Sequence, residues 1–318
     1  MVVTAAGGGH TGRAVALAER LAPRVELVFV IPKGDTWSRS KVEKLGSIIE
    51  VPKFRDPNEP MIRGLGRLVS AFMDGLMKLP KEICAFVSMG AGLSVPLGLA
   101  ARLRGAWIYN VESAVRIVRP SLTVRALQPI SHVTVLQWEE QLAALPRGRV
   151  YGPIYELPKH PVRDEGYVLV TGGSYGFRKL FDAVSKLGFE KVVLQTGRVD
   201  PEPYKERHRG WTVFRFTPDF GRWIAGARLV ITHFGQIAVD SVLAYRKPTV
   251  MVYNPEWRTA AGLEDARVLA RKLNIVLVEE VSPKALEDAV EEAFRRRPPS
   301  YPDGARALAD EIIELCRT

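Results

Sequence analysis

Short apolar runs alternate with longer segments of mixed polarity along nearly the whole chain. Runs of this length that are rich in Val, Ile and Leu are typical of buried strands, and the intervening segments have the length of helices. This alternation predicts parallel sheets covered by helices on both faces. The first half supplies six predicted strands: Val2–Ala5, Val25–Ile31, Ile48–Val51, Cys84–Ser88, Trp107–Val111 and Val133–Gln137. The second half supplies six more: Val168–Thr171, Lys191–Gln195, Thr212–Phe216, Leu229–Thr232, Thr249–Val252 and Ile275–Val278.

A polar stretch separates the two sets of strands. Residues 155–166 (YELPKHPVRDEG) hold two prolines and five charged residues, which is typical of a linker. With 318 residues the chain is long enough for two domains. We therefore predict an α/β protein of two Rossmann-like, doubly wound domains that face a cleft. The expected boundaries are an N-terminal domain over 1–155, a linker over 156–166, a C-terminal domain over 167–297 and a final helix within 298–318.

One uncharged stretch, residues 83–101, is as long as a membrane-spanning helix. It contains several helix-breaking or polar residues, namely Ser88, Gly90, Gly92, Ser94, Pro96 and Gly98. We interpret it as a strand, a loop and a helix rather than a span. The chain opens directly on a predicted strand, so no signal peptide is expected.

The amino-acid composition indicates which class of binding partner and which compartment to expect. The chain has 45 Lys+Arg against 35 Asp+Glu, a formal charge of +10, which favours anionic partners. Arg outnumbers Lys 31 to 14, which suits bidentate phosphate binding. Cys84 and Cys316 are the only cysteines, too few for a disulfide framework or a cysteine zinc site, so we expect a reducing cytosolic compartment. Asn (4) and Gln (5) are scarce, which suggests a thermophilic source.

The first strand runs into the sequence Gly7-Gly8-Gly9-His10-Thr11-Gly12. This fits the GxGxxG pattern between a strand and a helix, where backbone amides bind phosphate groups. A dinucleotide site also needs an acidic residue at the end of the second strand, but Lys33 follows that strand, which argues against NAD and leaves NADP as a remote alternative. The pattern does not require His10. We predict that it is a general base, with local capping of the helix as the alternative.

The fifth strand leads into Glu112, at the same predicted sheet edge as His10. A carboxylate there can orient His10 or itself take a proton from an acceptor hydroxyl. Arg116, Arg119 and Arg125 follow as a basic cluster that can hold a phosphate or pyrophosphate. A solvated helix face is the alternative for the three arginines.

Residues 60–80 (PMIRGLGRLVSAFMDGLMKLP) form a segment rich in Met, Leu and Phe. Its apolar positions make a stripe wider than a helix packed on one side needs, and four basic residues flank it: Arg63, Arg67, Lys78 and Lys81. This pattern is typical of an amphipathic helix that enters an anionic leaflet. A core helix with a broad buried face is the alternative.

Three strand ends in the second half carry candidate nucleotide contacts. One strand leads into Gly172-Gly173-Ser174-Tyr175-Gly176, whose amides can cradle a diphosphate. Another ends in Gln195-Thr196-Gly197-Arg198, and a third leads into His233-Phe234-Gly235-Gln236. His10 and His233 belong to different predicted domains and no third ligand is evident, so no metal site is predicted.

These motifs together resemble a known family. GGGHTG at 7–12, NVESAVRIVRPSLT at 110–123 and LQWEE at 136–140 resemble the membrane-recruiting subunit of the eukaryotic enzyme that adds the second N-acetylglucosamine to dolichol-diphosphate-linked N-acetylglucosamine. VTGGSYGF at 170–177, LQTGR at 194–198 and the stretch 232–248, which begins THFGQ and ends RKP, resemble its catalytic, nucleotide-binding subunit. The chain looks like a fused, archaeal-type version, related more distantly to the bacterial transferase that makes the second peptidoglycan lipid intermediate.

The resemblance implies a GT-B type, inverting, metal-independent glycosyltransferase that needs no cofactor. UDP-N-acetylglucosamine would bind the C-terminal domain, and a polyprenyl-diphosphate-linked sugar would bind the N-terminal domain. By analogy His10 is the base or orients the acceptor, and Glu112 is its partner or rival. Acceptor phosphate contacts would come from Gly8, Gly9, Thr11, Arg116 and Arg119. Donor contacts would come from Gly172, Gly173, Ser174, Gln195, Gly197, His233, Gly235, Gln236, Asp240, Ser241 and Glu264.

The same resemblance implies a peripheral protein at the cytoplasmic face of a membrane. The recruiting subunit normally begins with an anchoring helix, which is not expected here. Attachment would then rest on the segment 60–80, on basic residues at an anionic surface, or on a membrane-protein partner. No nucleic acid partner is implied.

Two departures bear on the donor. The family usually has a ribose-binding glutamate where this chain has Ser241, with Asp240 next to it. The family's later Asn-His-Gln-type segment corresponds to residues 260–262 (AAG), although Glu264 and Ala266 still match. Another UDP-sugar donor therefore stays open, as do a nucleotide-sugar epimerase and a non-catalytic binding subunit.

Overall fold

The computed structural model describes residues 1–22, 24–53, 61–257 and 261–317, with the backbone alone for 61–65. The chain forms two compact units. The first comprises Met1–Glu156 together with Pro302–Thr318, and the second is Leu157–Tyr301. The C-terminal segment therefore belongs to the first unit rather than to the second.

The first unit is built on a seven-stranded sheet in which every pair of neighbours is parallel. Its strands are β1 (Val2–Thr4), β2 (Val28–Pro32), β3 (Ser47–Val51), β4 (Ala85–Ser88), β5 (Trp107–Val111), β6 (Val133–Leu136) and β7 (Arg149–Val150). Its first helices are α1 (Gly8–Leu21), α2 (Thr36–Val42), α3 (Met61–Lys78), α4 (Ser94–Leu103) and α5 (Leu122–Leu127). The strand order is β3-β2-β1-β4-β5-β6-β7, so the winding reverses between β1 and β4. Ligand crevices lie at the carboxyl ends of strands at such a reversal.

The second unit repeats this plan with six parallel strands. They are β8 (Tyr167–Thr171), β9 (Val192–Gln195), β10 (Thr212–Phe214), β11 (Ala227–His233), β12 (Thr249–Val252) and β13 (Val276–Val278). The helices are α6 (Arg178–Val184), α7 (Glu202–Arg207), α8 (Phe220–Gly226), α9 (Gln236–Leu243), α10 (Leu263–Leu273) and α11 (Pro283–Ala293). The order β10-β9-β8-β11-β12-β13 places the reversal between β8 and β11.

All twelve predicted strands are present, with ends displaced by at most three residues. The additional strand, β7, has only two residues, too few to leave a pattern in the sequence. Residues 83–101 form β4 and α4, as predicted. Among the described residues, no helix combines the length and the apolar character needed to cross a bilayer.

A last helix, α12 (Gly304–Leu315), packs against α1 in the first unit. Its apolar face, which includes Leu308 and Ile312, is fully buried in the first unit's core. Asp303 caps α12 by accepting a hydrogen bond from the amide of Arg306, and its carboxylate also accepts two from the buried guanidinium of Arg20. The buried apolar face and a partly buried ion pair thus attach the C-terminal helix.

Cys84 and Cys316 form a disulfide between the start of β4 and the end of α12. This corrects the inference drawn from the cysteine count, because two residues separated by 232 positions are brought together by the return of the chain to its first unit. Because the two cysteines are oxidised to a disulfide, they give no support to the expected reducing compartment.

Removing this disulfide should lower the thermal stability of the protein. In the chain-entropy model a cross-link that closes so long a loop contributes about 5 kcal/mol, which corresponds to roughly 10 °C in the unfolding midpoint. We expect the Cys84→Ser/Cys316→Ser variant, or the wild type in reductant, to show this decrease by scanning calorimetry. The matched control is reductant added to the double variant, which should change nothing. An identical wild-type midpoint with and without reductant would contradict the bridge.

Candidate functional site

The loop between β1 and α1 has two glycines with positive φ, Gly7 at 62° and Gly8 at 46°. Residues with a side chain rarely adopt this conformation, so the glycines are needed for the turn. It leads into the first turn of α1, where the amides of Gly8, Gly9 and His10 have no acceptor inside the helix. Such amides, together with the helix dipole, favour an anionic ligand.

A side-chain network braces this loop. The amide of Gly7 donates to Ser38 Oγ at 2.9 Å, and Ser38 donates to the carboxylate of Asp35 at 2.6 Å. Thr11 Oγ1 lies 2.7 Å from the same serine, and both hydroxyls are fully buried. The predicted phosphate contact of Thr11 is corrected accordingly, since its hydroxyl is used inside the unit.

His10 lies on the first turn of α1 and is tied to the end of β4. Its Nδ1 is 2.6 Å from the carbonyl oxygen of Met89. A carbonyl can only accept, whereas the guanidinium of Arg13, 3.0 Å from the same Nδ1, can only donate, so the two contacts favour opposite tautomers. The shorter contact, to Met89, places the hydrogen on Nδ1 and leaves the lone pair on Nε2, and the approach of Arg13 to Nδ1 is then a contact between two donors rather than a hydrogen bond. Gly90, with φ of 90°, follows Met89, and a Cβ there would lie 3.6 Å from the imidazole.

His10 is neutral near pH 7. Burial, the positive charge of Arg13 and, to a smaller extent, that of Arg116 together lower its pKa to about 4, while the hydrogen bond to the Met89 carbonyl opposes this shift. A neutral imidazole with a lone pair on Nε2 can accept a proton from a hydroxyl group. The predicted role of His10 as a base is therefore compatible with its tautomer and its charge.

Glu112 is buried and its carboxylate is used by the backbone. One oxygen accepts the amide of Ser113 and the other accepts the amide of Ser121, both at 2.7 Å. Burial raises the pKa of Glu112, while these two hydrogen bonds and the charges of Arg13 and Arg116 oppose that shift. The carboxylate thus closes the loop 112–121, which favours a structural role for Glu112 over proton transfer.

Side chains from the segment after β6 hold the same loop in place. Two of them belong to the motif at 136–140, and the third is the residue that follows this motif. Gln137 Nε2 donates to the carbonyl of Glu112, and Trp138 Nε1 donates to that of Ala114. Gln141 Nε2 donates to the carbonyls of Ser113 and Arg116. Arg116 is half-buried and Arg119 is exposed, so both predicted phosphate-binding arginines stand on a loop held by buried side chains.

In the second unit the backbone of the loop after β8 lies in close contact with the backbone of the loop after β9. A Cβ on Gly197 would lie 2.4 Å from the carbonyl oxygen of Gly173 and 2.7 Å from that of Ser174. Gln195 is buried and accepts a hydrogen bond from Thr171, whose hydroxyl also accepts the amide of Gly173. Gln195 and Gly197 therefore shape the glycine loop rather than line an open pocket.

His233, at the end of β11, lies against this loop. A Cβ on Gly173 would lie 2.5 Å from His233 Cε1, and one on Gly235 would lie 2.7 Å from Nε2. Burial lowers the pKa of His233 to about 4, so the ring is neutral. Its buried Nδ1 has no hydrogen-bond partner among the described residues. A buried polar nitrogen of this kind is a candidate contact for a ligand.

Three side chains that the sequence analysis did not assign complete this region. Trp257 stacks on His233 with ring centroids 5.5 Å apart, and Tyr175 meets Trp257 edge-on at 4.9 Å. The guanidinium of Arg198 lies 4.4 Å above the Tyr175 ring. In the sequence, the only sign that these three residues could belong to the site is that they follow strands β8, β9 and β12.

The remaining predicted donor contacts lie on α9 and α10. Gly235 precedes α9, and the side chain of Gln236 donates to Asp240 at 3.1 Å. Ser241, in the position of the family's ribose-binding glutamate, is fully buried. Glu264 is exposed in the first turn of α10. Of residues 260–262, Ala260 lies outside the described residues.

Both halves of the chain match known families. Residues 1–154 match the model described as oligosaccharide biosynthesis protein Alg14 like. Residues 167–313 match the glycosyltransferase family 28 C-terminal domain. The chain joins an Alg14-like domain to a glycosyltransferase family 28 C-terminal domain. The resemblance inferred from the motifs is confirmed.

Individual relatives agree with this assignment. Over 371 aligned residues the chain is 26% identical to the UDP-N-acetylglucosamine--N-acetylmuramyl-(pentapeptide) pyrophosphoryl-undecaprenol N-acetylglucosamine transferase of Chlorobium phaeobacteroides, covering 98% of this chain and 97% of that protein. It is 28% identical over 164 residues to the UDP-N-acetylglucosamine transferase subunit ALG13 of Yarrowia lipolytica, covering 46% and 82%. The crystal structure of Acinetobacter baumannii MurG superposes with a TM-score of 0.66 at 18% identity, covering 98% and 99%. The predicted GT-B fold class is confirmed.

The contact between Gly173 and His233 gives a prediction for nucleotide binding. Gly173→Ala would place a methyl group where it overlaps the imidazole of His233. We therefore expect the Kd for UDP, measured by calorimetry, to rise at least tenfold, which is equivalent to about 1.4 kcal/mol of binding free energy. Gly188→Ala is the matched control, because Gly188 has a similar φ of 68° but open space around its Cβ position. Equal UDP affinity in the two variants and the wild type would contradict a nucleotide site at this loop.

Proposed function

We propose that this protein transfers N-acetylglucosamine from UDP-N-acetylglucosamine to a polyprenyl-diphosphate-linked N-acetylglucosamine, with dolichyl lipids as carriers in N-glycan precursor assembly. The observation that carries the proposal is His10, a neutral imidazole whose Nε2 lone pair is left open at the N-terminal turn of α1. It stands in an Alg14-like domain joined to a family 28 domain. The names of the two relatives point to a lipid diphosphate acceptor and a UDP-linked donor.

The residues of the first unit suit the acceptor half of the reaction. The amides of Gly8 and Gly9 and the cations Arg116 and Arg119 would bind the acceptor diphosphate. His10 Nε2 would take the proton of the attacking hydroxyl and later release it to solvent. The hydroxyl oxygen would then form a bond to the anomeric carbon of the donor while the bond from that carbon to UDP breaks. A single displacement of this kind inverts the anomeric centre.

The second unit suits the donor half. UDP leaves with its negative charge on the phosphates, so the protein must supply positive dipoles rather than an acid. The glycine loop after β8 offers its backbone at close range, and neutral His233 can donate a hydrogen bond to a phosphate oxygen. Among the described residues no three His, Cys, Asp or Glu side chains cluster as metal ligands. We propose that the transfer proceeds without a divalent cation.

A different donor sugar is the second candidate. The fully buried Ser241 and the substituted segment 260–262 differ from the family's donor contacts. Asp240 precedes Ser241 and is less buried. Its carboxylate is therefore the candidate to bind a ribose hydroxyl in place of the family's glutamate. The nucleotide end of the donor can then bind as in the family even if the sugar differs.

A transfer assay separates these candidates. Purified protein, liposomes carrying lipid-diphosphate-linked N-acetylglucosamine and a panel of UDP-sugars are combined in EDTA, and products are read by mass. We expect one added N-acetylhexosamine from UDP-N-acetylglucosamine. Product from another UDP-sugar alone would replace the donor. UDP binding without any product would instead favour the epimerase or the binding subunit.

Variants in the same assay rank His10 against Glu112. We expect His10→Ala to lower kcat by about 10²–10⁴-fold, a loss too large to follow from the modest decrease in stability that the lost hydrogen bond to Met89 would cause. Glu112→Gln should instead lower stability by about 1–3 kcal/mol, because its amide group would face the amide of Ser113 or Ser121. His160→Ala, at an exposed ion pair of the second unit, is the control. Full activity of His10→Ala would remove the histidine from the mechanism.

We also propose that the first unit binds an anionic membrane surface. The described residues of α3 form two stripes: one, including Ala71 and Gly75, is buried, and the other, Val69, Met73 and Met77, is exposed. The helix is thus both a core helix and the carrier of an exposed apolar face. Met77, 68% exposed, illustrates how much apolar area would leave water on docking.

The neighbouring helices extend this face. α4 packs beside α3 and α5 beside α4, and Leu99, Leu103 and Leu122 are exposed on them. Between residues 61 and 131 there are nine Lys and Arg against three Asp and Glu. One of those three acids, Glu112, is buried, and Asp74 pairs with Lys78. Exposed apolar side chains among basic residues suit an anionic leaflet.

Liposome sedimentation tests the membrane face. Met73→Asp/Met77→Asp should lower partitioning onto anionic vesicles at least tenfold, because each buried methionine is worth about 1.5–3 kcal/mol. The matched control is Phe216→Asp/Phe294→Asp, which changes two similarly exposed apolar residues of the second unit. Unchanged partitioning of the α3 variant, or an equal loss in the control, would contradict this surface.

A further inference from the structure

Arg13 lies one turn after His10 on α1 and is almost completely buried, with 3% of its surface exposed. Three contacts of its side chain are with neutral groups. Nη2 donates to the carbonyl oxygen of Met89 at 2.7 Å and lies 3.0 Å from His10 Nδ1, while Nη1 donates to Ser113 Oγ at 3.0 Å. One guanidinium thus reaches the ends of both β4 and β5 from α1.

These contacts use the planar, forked geometry of arginine. A guanidinium presents several N–H groups in fixed directions, whereas a lysine ammonium is a single charge on a flexible stem. Burying such a charge is costly, and core packing alone would be served by an apolar residue. The position of Arg13 therefore points to a task that needs both its fork and its charge.

The Met89 carbonyl connects Arg13 to the imidazole. This oxygen accepts hydrogen bonds from both Arg13 Nη2 and His10 Nδ1. The arginine therefore fixes the acceptor that selects the Nδ1–H tautomer, and that tautomer leaves the lone pair on Nε2. Through Ser113 the same side chain also fixes the loop that Glu112 closes.

We propose that Arg13 is a positioning residue that fixes the tautomer and orientation of His10 for proton transfer. The proposal rests on the proposed function in one respect, that His10 accepts the proton. Arg13 itself is too buried to contact the acceptor. It acts through the Met89 carbonyl and through the charge it places beside the imidazole.

The charge makes a second, measurable contribution. The charged groups that act on His10 are Arg13 on its own helix and Arg116 on the loop after β5, and both arginines also act on Glu112. Both cations disfavour a protonated imidazole. Removing the charge of Arg13 should therefore raise the pKa of His10, so that the histidine becomes protonated at higher pH.

Histidine NMR tests the proposal without requiring activity. The chain has only five histidines, and His10→Ala assigns the signal. In the wild type we expect an Nδ1–H tautomer and a titration well below pH 6.5. In Arg13→Gln we expect the midpoint to rise by about one pH unit and the tautomer preference to weaken. Arg20→Gln, which alters another buried arginine of α1, should leave both signals of His10 unchanged.

Arg13→Lys separates geometry from charge and serves where Arg13→Gln does not fold. It should keep the low midpoint but lose the tautomer preference, and kcat should fall about tenfold or more with a smaller change in KM. An unchanged tautomer and midpoint in a folded Arg13 variant would overturn the proposal. So would an equal change in Arg20→Gln. Absence of transfer in the wild type would instead count against the proposed function and leave the NMR result intact.

Discussion

Every strand pair in both sheets is parallel, and this constraint decides where chemistry can occur. Parallel strands bring all their carboxyl ends to one edge, where the following helices begin. In the first unit the neighbours β1, β4 and β5 therefore deliver His10, Met89 and Glu112 to the same edge, although these residues are far apart in the chain. The second unit gathers its glycine loop and His233 by the same rule, since β8 pairs with β11.

Glycine and buried polar side chains share the work at these edges. Glycines let backbone approach a ring or another backbone, as Gly90 does at His10 and Gly173 does at His233. Glycines have no side chains that could hold these loops in place. Each loop therefore donates a backbone hydrogen bond to a buried side chain nearby, Ser38 in one unit and Thr171 in the other. The result is a preorganised surface of amides, which is what binding and stabilising a diphosphate requires.

The fold and the positions of the site loops were predictable because both depend on local patterns. Strand periodicity gave the order of elements, and glycine runs after strands gave the loops. The role of Arg13 was not predictable, because a lone arginine on a predicted helix gives no sign that it is buried. The pairing of Cys84 with Cys316 was equally hidden, since it depends on the return of α12 to the first unit. The roles of Thr11 and Gln195 could not be predicted either, because a sequence does not show which way a hydroxyl or an amide points.

The surroundings of His10 link the binding of an anion to the strength of the base. Burial and two arginines keep the imidazole neutral with a pKa of about 4, which is below the value at which a base works best near pH 7. A diphosphate placed at the N-terminus of α1 would offset the positive charge of Arg13 and Arg116. Opposite charge near a histidine raises its pKa, so an acceptor of this chemistry would strengthen the base that it uses. A neutral acceptor of the same shape would not. The two cations beside His10 would thus make proton transfer depend on the charge of the acceptor.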